Sequence, residues 1–212
     1  MSGGSLVATV VVIFAIIDEA LQVLLVHRTG DPERGKWALP GGLWRGDEPL
    51  DGTAARKLAE ETGAADLYLE QLFTTSGLDV GQPGVAVAYF ALVDASAVRL
   101  RTGDEWPPEW HRVDDLGPLA FDNNSVIAQA LERARAKLDY TNIAFGLLPD
   151  EFTIRDLQGT YEAILGRDLD RRNFRKRMLS NGIIESTETR RHEGAHRPAL
   201  IYRFVSREPV FL

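Results

Sequence analysis

A chain of 212 residues with a net charge of −7 and no cysteine excludes disulfide scaffolds, thiolate catalysis and cysteine-based zinc sites. Taken as a whole, that acidity suits a soluble protein and argues against nucleic acid as a partner. The average conceals a division. Residues 1–149 carry 12 basic against 21 acidic side chains, whereas residues 171–207 carry 10 against 3. An acidic first part is therefore joined to a second part with a basic surface.

In chain order, Leu6–Ile17 and Leu21–Arg28 are aliphatic, β-branched runs separated by Asp18, Glu19 and Ala20, the pattern of two paired strands. The first run has no basic leader and is too short to span a bilayer, so it reads as a core strand, with no membrane partner and the cytoplasm as default compartment. Residues 29–36 form a loop, and Trp37 to Pro40 lead into Gly41 and Gly42. The stretch that follows, to Ala64, reads as loop, helix and loop, with Pro49 in the first helical turn and Gly63 at the stop. Arg56, Lys57, Glu60 and Glu61 are spaced to share one helical side. One reading is a solvated face with Arg56–Glu60 and Lys57–Glu61 pairs. The other is a site where Glu60 and Glu61 hold a hard cation such as Mg²⁺ beside phosphate oxygens.

Beyond the helix, Leu67–Thr75 and Val85–Val93 read as strands. Residues 105–110 form a loop or sheet edge because two prolines interrupt them, and Ser125–Leu138 has helical apolar spacing. Strands around one marked helix and a closing helix make an α+β sandwich over residues 1–138. A junction at 138–150 opens a second unit, residues 139–212, and Thr141–Leu148 is expected to form a short helix belonging to it. There, Thr153 and Asp156 are spaced as a capping box, Ile154, Leu157, Tyr161, Ile164 and Leu165 follow a helical period, and Gly166 ends the run. Asp170 is the N-cap of a second helix with Phe174, Met178 and Leu179 as its apolar edge. Strands at Ile183–Ser186 and Ala199–Phe204, joined by a polar loop at residues 187–198, complete the order of a winged helix-turn-helix.

The second helix of that unit presents Arg171, Arg172, Asn173, Arg175 and Lys176. An N-terminal cluster of Arg and Asn suits base edges, and Arg190, Arg191 and Arg197 in the wing suit phosphates or a minor groove. Phe174 is the one aromatic residue in the basic helix, which ranks single-stranded RNA or a protein surface below duplex DNA. His192 and His196, and likewise His27 and His111, read as structural or surface residues. Trp37, Trp44, Trp106 and Trp110 read first as packing residues; of the four, Trp37 is best placed to stack on an adenine, since it adjoins the glycine-rich loop. Arg34 and Arg45 lie near enough in sequence to reach phosphates.

Gly42, Glu48, Arg56, Leu58, Glu60, Glu61 and Gly63 fall on the spacing of the Nudix box, and the segment resembles a Nudix hydrolase signature. It departs at Lys57, where the family has a glutamate that helps bind the catalytic metal, and at Ala64, which is smaller than usual. With the basic winged helix behind it and Arg197, Pro198, Tyr202 and Arg203 in its last strand, the whole chain resembles the Nudix-related transcriptional regulators of NAD metabolism. That resemblance implies a Nudix α/β/α sandwich followed by a winged helix. It also implies a homodimeric repressor of NAD biosynthesis or salvage genes that leaves operator DNA when ADP-ribose binds the Nudix domain. On this reading Arg34, Trp37, Gly41, Gly42 and Arg45 form the ligand pocket, ADP-ribose is an effector, no cofactor is required and Mg²⁺ is possible at Glu60 and Glu61. The rival is a working Mg²⁺-dependent hydrolase of ADP-ribose or a related nucleoside diphosphate derivative, which Lys57 argues against.

Overall fold

The apolar run at the start of the chain becomes strand β1 (Leu6–Ile17), and the sheet is built outwards from it. The computed structural model describes residues 6–63, 68–76, 84–102, 107–191 and 198–212. A two-residue turn at Asp18 and Glu19, both at positive φ, returns the chain as β2 (Ala20–His27) antiparallel to the end of β1. Next come β3 (Trp37–Ala38), β4 (Gly41–Leu43) and helix α1 (Leu50–Thr62). Strands β5 (Tyr68–Ser76), β6 (Gly84–Leu92) and β7 (Glu109–Arg112) follow, then helix α2 (Asn123–Tyr140). The sheet order is β3-β2-β1-β6-β5, with β4 added to β1 and β7 to β2. Strand β1 runs parallel to β6 from Leu6 to Phe14 while its start also pairs with β4.

Alternation along β1 sorts the layers. Val11, Ile13 and Ala15 pack with Leu24, Ala54, Leu58 and Tyr89 under α1. Val12 and Phe14 face the other way, into a cluster with Phe90 and with Val126, Ile127, Ala130, Ala134 and Leu138 of α2. One helix on each face of a mixed sheet is the α/β/α sandwich expected.

The second cluster does not stop at the sheet. It continues through Ile143, Phe145 and Leu147 of a short 3-10 helix into Phe152, Leu157, Tyr161, Phe174, Met178, Tyr202 and Phe204. Residues 141–148 are therefore shared between the two parts and do not belong to the second alone. Gly146 lies so close to β6 that a Cβ there would stand 2.9 Å from the Leu92 carbonyl oxygen.

The second part comprises β8 (Phe152–Thr153), α3 (Ile154–Leu165), α4 (Arg171–Ser180), β9 (Ile184–Arg191) and β10 (Ala199–Phe204). These form a three-stranded antiparallel sheet, β8-β10-β9, behind two helices. Both helix starts follow from the sequence. Thr153 Oγ1 accepts from the Asp156 amide while the Asp156 carboxylate accepts from the Thr153 amide, a reciprocal capping box. Asp170 accepts from the Asn173 amide at 2.8 Å. Gly166 takes the left-handed conformation that ends α3.

Two expectations change. Strand β9 runs on to Arg191, so residues 187–191 are strand, with Ala199 opposite Arg191 and Leu200 opposite Arg190. The ladder is irregular there because Glu188 sits at φ 64°. Leu179 is exposed, since Phe174 and Met178 alone fill the core-facing side of α4. Among the described residues no helix is long and apolar enough to cross a membrane.

Candidate functional site

The loop between β3 and α1 is fixed by backbone contacts from both sides. The Leu39 amide donates to Asn123 Oδ1 at the start of α2, and the Val11 amide donates to the Pro40 carbonyl. Gly41 lies against β1, where a Cβ would stand 2.3 Å from the Thr9 carbonyl oxygen, so no larger residue fits without moving a strand. The Trp44 indole donates to the Glu48 carbonyl at 2.5 Å and closes the turn before the helix. Pro49 is the N-cap of α1, its ψ of 156° still extended, rather than a residue of the first turn. Gly63 ends the helix at φ 67°.

On α1 the charged side chains form a connected network. Arg56 Nη2 lies 2.6 Å from Glu48 Oε1 and its Nη1 2.8 Å from Glu60 Oε1, while Lys57 Nζ donates to Glu60 Oε2 at 2.6 Å. The hydrogen bond from Arg56 holds the Glu48 carboxyl below the usual carboxylate range, and that from Lys57 does the same for Glu60. The Arg56 guanidinium is raised by the same contacts, Glu48 first. Glu61 departs from the expected shared face. It is buried and pairs with Arg101 at 2.7 Å, so Lys57 bonds Glu60, three residues on, instead of Glu61. Arg101 lies 40 positions away, and no local spacing points to it. Among the described residues no three His, Cys, Asp or Glu side chains gather closely enough to hold a metal ion.

The other pocket candidates lie around this network. Gly42 lies beneath the Lys57 side chain, whose Cε stands 3.2 Å from the place of a Cβ. Arg45 is exposed beside Glu48 and contributes to holding it ionised. Arg34 is exposed on the preceding loop. Trp37 is half-buried, its ring packed edgewise between His27 at 5.0 Å and His111 at 4.7 Å. A residue the sequence reading did not single out, Arg28, bonds the Pro32 carbonyl and covers the Phe121 ring at 4.5 Å. Its signal lies only in the three-dimensional closure of that loop.

In the second part, α3 and α4 are stitched by side chains. Gln158 donates to the Leu169 carbonyl, and Glu162 accepts from the Leu169 amide. Phe174 packs edgewise on Tyr161 at 5.1 Å, and burial pushes the Tyr161 hydroxyl up to about 12. This seating turns Arg171, Arg172, Asn173, Arg175 and Lys176 to the outside. Asp170, Arg172, Asn173, Arg175, Lys176 and Leu179 line an open groove. Arg175 donates to the Tyr202 hydroxyl at 3.2 Å, whereas Arg177, on the other flank, turns to Asp139 at 3.5 Å. In the wing, Arg190 is exposed and reaches the Pro198 carbonyl at 3.5 Å. Arg191 instead points back at the start of α3, 3.5 Å from Asp156 Oδ2 and 3.4 Å from the Glu151 carbonyl. Its register opposite Ala199 carries it to that side. Arg197, His192, His196, Trp106 and Ala64 lie outside the described residues.

A mixed sheet between two helices, with a box-like loop and helix on one face and a capped winged helix behind, defines a Nudix domain fused to a DNA-binding type of unit. Comparison with known proteins agrees: residues 7–133 match the NUDIX domain family, and residues 144–204 match the NrtR DNA-binding winged helix domain. The chain belongs to the Nudix family, in its NrtR branch. It is 36% identical over 205 residues to the ADPR responsive transcriptional repressor NtrR of Acinetobacter baylyi, covering 94% of this chain and 82% of that protein. The crystal structure of Shewanella oneidensis NrtR complexed with a 27mer DNA superposes with a TM-score of 0.85 at 34% identity, covering 93% of both chains. The NUDIX domain of the same protein, solved with ADP ribose, matches 62% of this chain and 89% of its own length at 37% identity and a TM-score of 0.56.

Proposed function

We propose that this chain is a cytoplasmic, homodimeric repressor of NAD biosynthesis or salvage genes that binds operator DNA through α4 and the wing and leaves it when ADP-ribose binds the Nudix domain. The first domain runs to residue 138 and the second from residue 139, with residues 141–148 packed against both. The observation that carries the reading is the outward basic face of α4, set in a chain that superposes over 93% of its length on a relative solved with DNA. Arg171, Arg172, Asn173, Arg175 and Lys176 are the base and phosphate readers, with Arg190 on the wing. Arg197 is retained as a wing contact, and Arg191 becomes a residue that positions the wing.

The effector enters at Arg34, Trp37, Gly41, Gly42 and Arg45, beside Lys57 and Glu60. Helix α2 touches both regions. Its Asn123 holds the pocket loop, and near its other end Arg135 donates to the Ile164 carbonyl of α3 at 2.8 Å while Asp139 faces Arg177 of α4. A ligand that shifts the loop therefore has a packed route to the DNA-reading helix.

The test uses one preparation of the full chain and a labelled duplex enriched by it from a randomised pool. ADP-ribose is titrated against DNA binding in a mobility-shift assay, and hydrolysis of ADP-ribose is followed with Mg²⁺ and with Mn²⁺. Release of the duplex without turnover supports the repressor. Turnover with no effect on DNA binding supports the hydrolase.

A further inference from the structure

The carboxylates of the box do not fit a divalent cation as they stand. Such an ion needs several anionic oxygens at close range, yet Glu60 is taken by Lys57 and Arg56, Glu48 by Arg56 and Glu61 by Arg101. We infer that Lys57 replaces the metal: its ammonium is the built-in counter-charge for the pyrophosphate of ADP-ribose, and effector binding at this pocket is independent of divalent cations. The inference rests on the reading that residues 37–61 take that ligand.

Three observations lead there. The Lys57 side chain folds across Gly42, with Cε 3.2 Å and Nζ 4.0 Å from the position of a Cβ at that glycine. The ammonium is thereby held against the backbone of Gly42 rather than extended into solvent, and its side chain is only 24% exposed. Second, an ammonium has three N–H donors, and among the described residues Lys57 donates only to Glu60. Two donors therefore remain for phosphate oxygens. Third, the charges balance. Glu48, Glu60 and Glu61 are matched by Arg56, Lys57 and Arg101. A glutamate at position 57 would leave the same cluster two units negative, repelling a pyrophosphate until a divalent cation entered. The lysine supplies that same difference of two units permanently. Glu60, hydrogen-bonded by both Arg56 and Lys57, becomes the group that aims the ammonium rather than a metal ligand.

The experiment is calorimetric titration of ADP-ribose into the full-length chain, in EDTA and in Mg²⁺, for the parent, Lys57→Gln and Lys57→Glu. Thermal melts establish that the variants fold, and Lys57→Arg serves as the charge-conserving control. The parent is expected to bind equally well in both buffers. Lys57→Gln should lose about ten- to a hundredfold in either, the range for one hydrogen bond to a charged group. Lys57→Arg should bind in EDTA, and Lys57→Glu should bind measurably only with Mg²⁺. Parent binding that requires Mg²⁺, or a Lys57→Gln chain that binds like the parent, overturns the inference and leaves the ADP-ribose reading intact. A parent that binds no ADP-ribose in either buffer overturns that reading and the inference with it.

Discussion

Removing the Arg172 guanidinium isolates what α4 contributes to DNA recognition. Arg172 is exposed, lines the groove on the outer face of the helix, and among the described residues has no hydrogen bond or ion pair. Its truncation to alanine should change fold stability by no more than about 0.5 kcal/mol. If it contacts a base edge or phosphate, affinity should fall by about 1–3 kcal/mol per contact, or roughly five- to 160-fold. Arg177 supplies the matched control. It removes the same charge from the same helix, but its guanidinium is turned to Asp139, 3.5 Å from Oδ1. At 0.15 M salt, screening confines charge effects to about 8 Å, so Arg177→Ala should stay close to the parent. Fluorescence anisotropy on the enriched duplex, repeated across salt concentrations, separates the kinds of contact: a lost phosphate contact lowers the salt slope by about one. Equal losses for the two variants would mean that α4 acts as undirected positive charge, and the proposed orientation would fail.

Other consequences concern the scaffold and its response to acid. Thr153→Ala removes one half of the reciprocal cap on α3 and should cost about 1 kcal/mol, a fall of about 2–4 °C in Tm for a chain of this size; an unchanged melt would discard the cap as a source of stability. Gly41→Ala forces a methyl to within 2.3 Å of the Thr9 carbonyl and should destabilise by about 1–3 kcal/mol, again read by melting. Glu48 and Glu60 are held below their ordinary value of 4.5 in the fold. The stability they add is therefore complete above about pH 4.5 and is lost as pH falls through their lower folded values. Melts should be steady through the neutral range and drop below pH 4.5, and a Tm that rises on acidification would contradict the network.

Features fixed by neighbours in sequence were legible before the structure. The cap of Asp170 on Asn173, the Thr153–Asp156 box and the left-handed Gly63 and Gly166 each depend on residues within a turn. So does the Arg56–Glu60 pair, four residues apart on one helix. What the sequence could not disclose lies at long range. Glu61 is turned away by Arg101, and Trp37 is enclosed by His27 and His111 from two other strands. The wing strand hid its extension for a different reason: most of residues 185–191 are exposed, so no alternation of apolar residues marks them, and backbone pairing to β10 alone makes them a strand. Leu179 misled because it is apolar and adjoins Met178, but one step along a helix turns a side chain by about 100°, and that carries Leu179 out of the core.

In the proposed switch, effector and DNA compete through one chain. The most direct measurement is the coupling factor in both directions, with ADP-ribose affinity determined with and without saturating duplex, and duplex affinity with and without saturating ADP-ribose. Each ligand is expected to weaken the other by the same factor, about 5–150-fold for typical couplings. Duplex affinity unaltered by saturating ADP-ribose would contradict it.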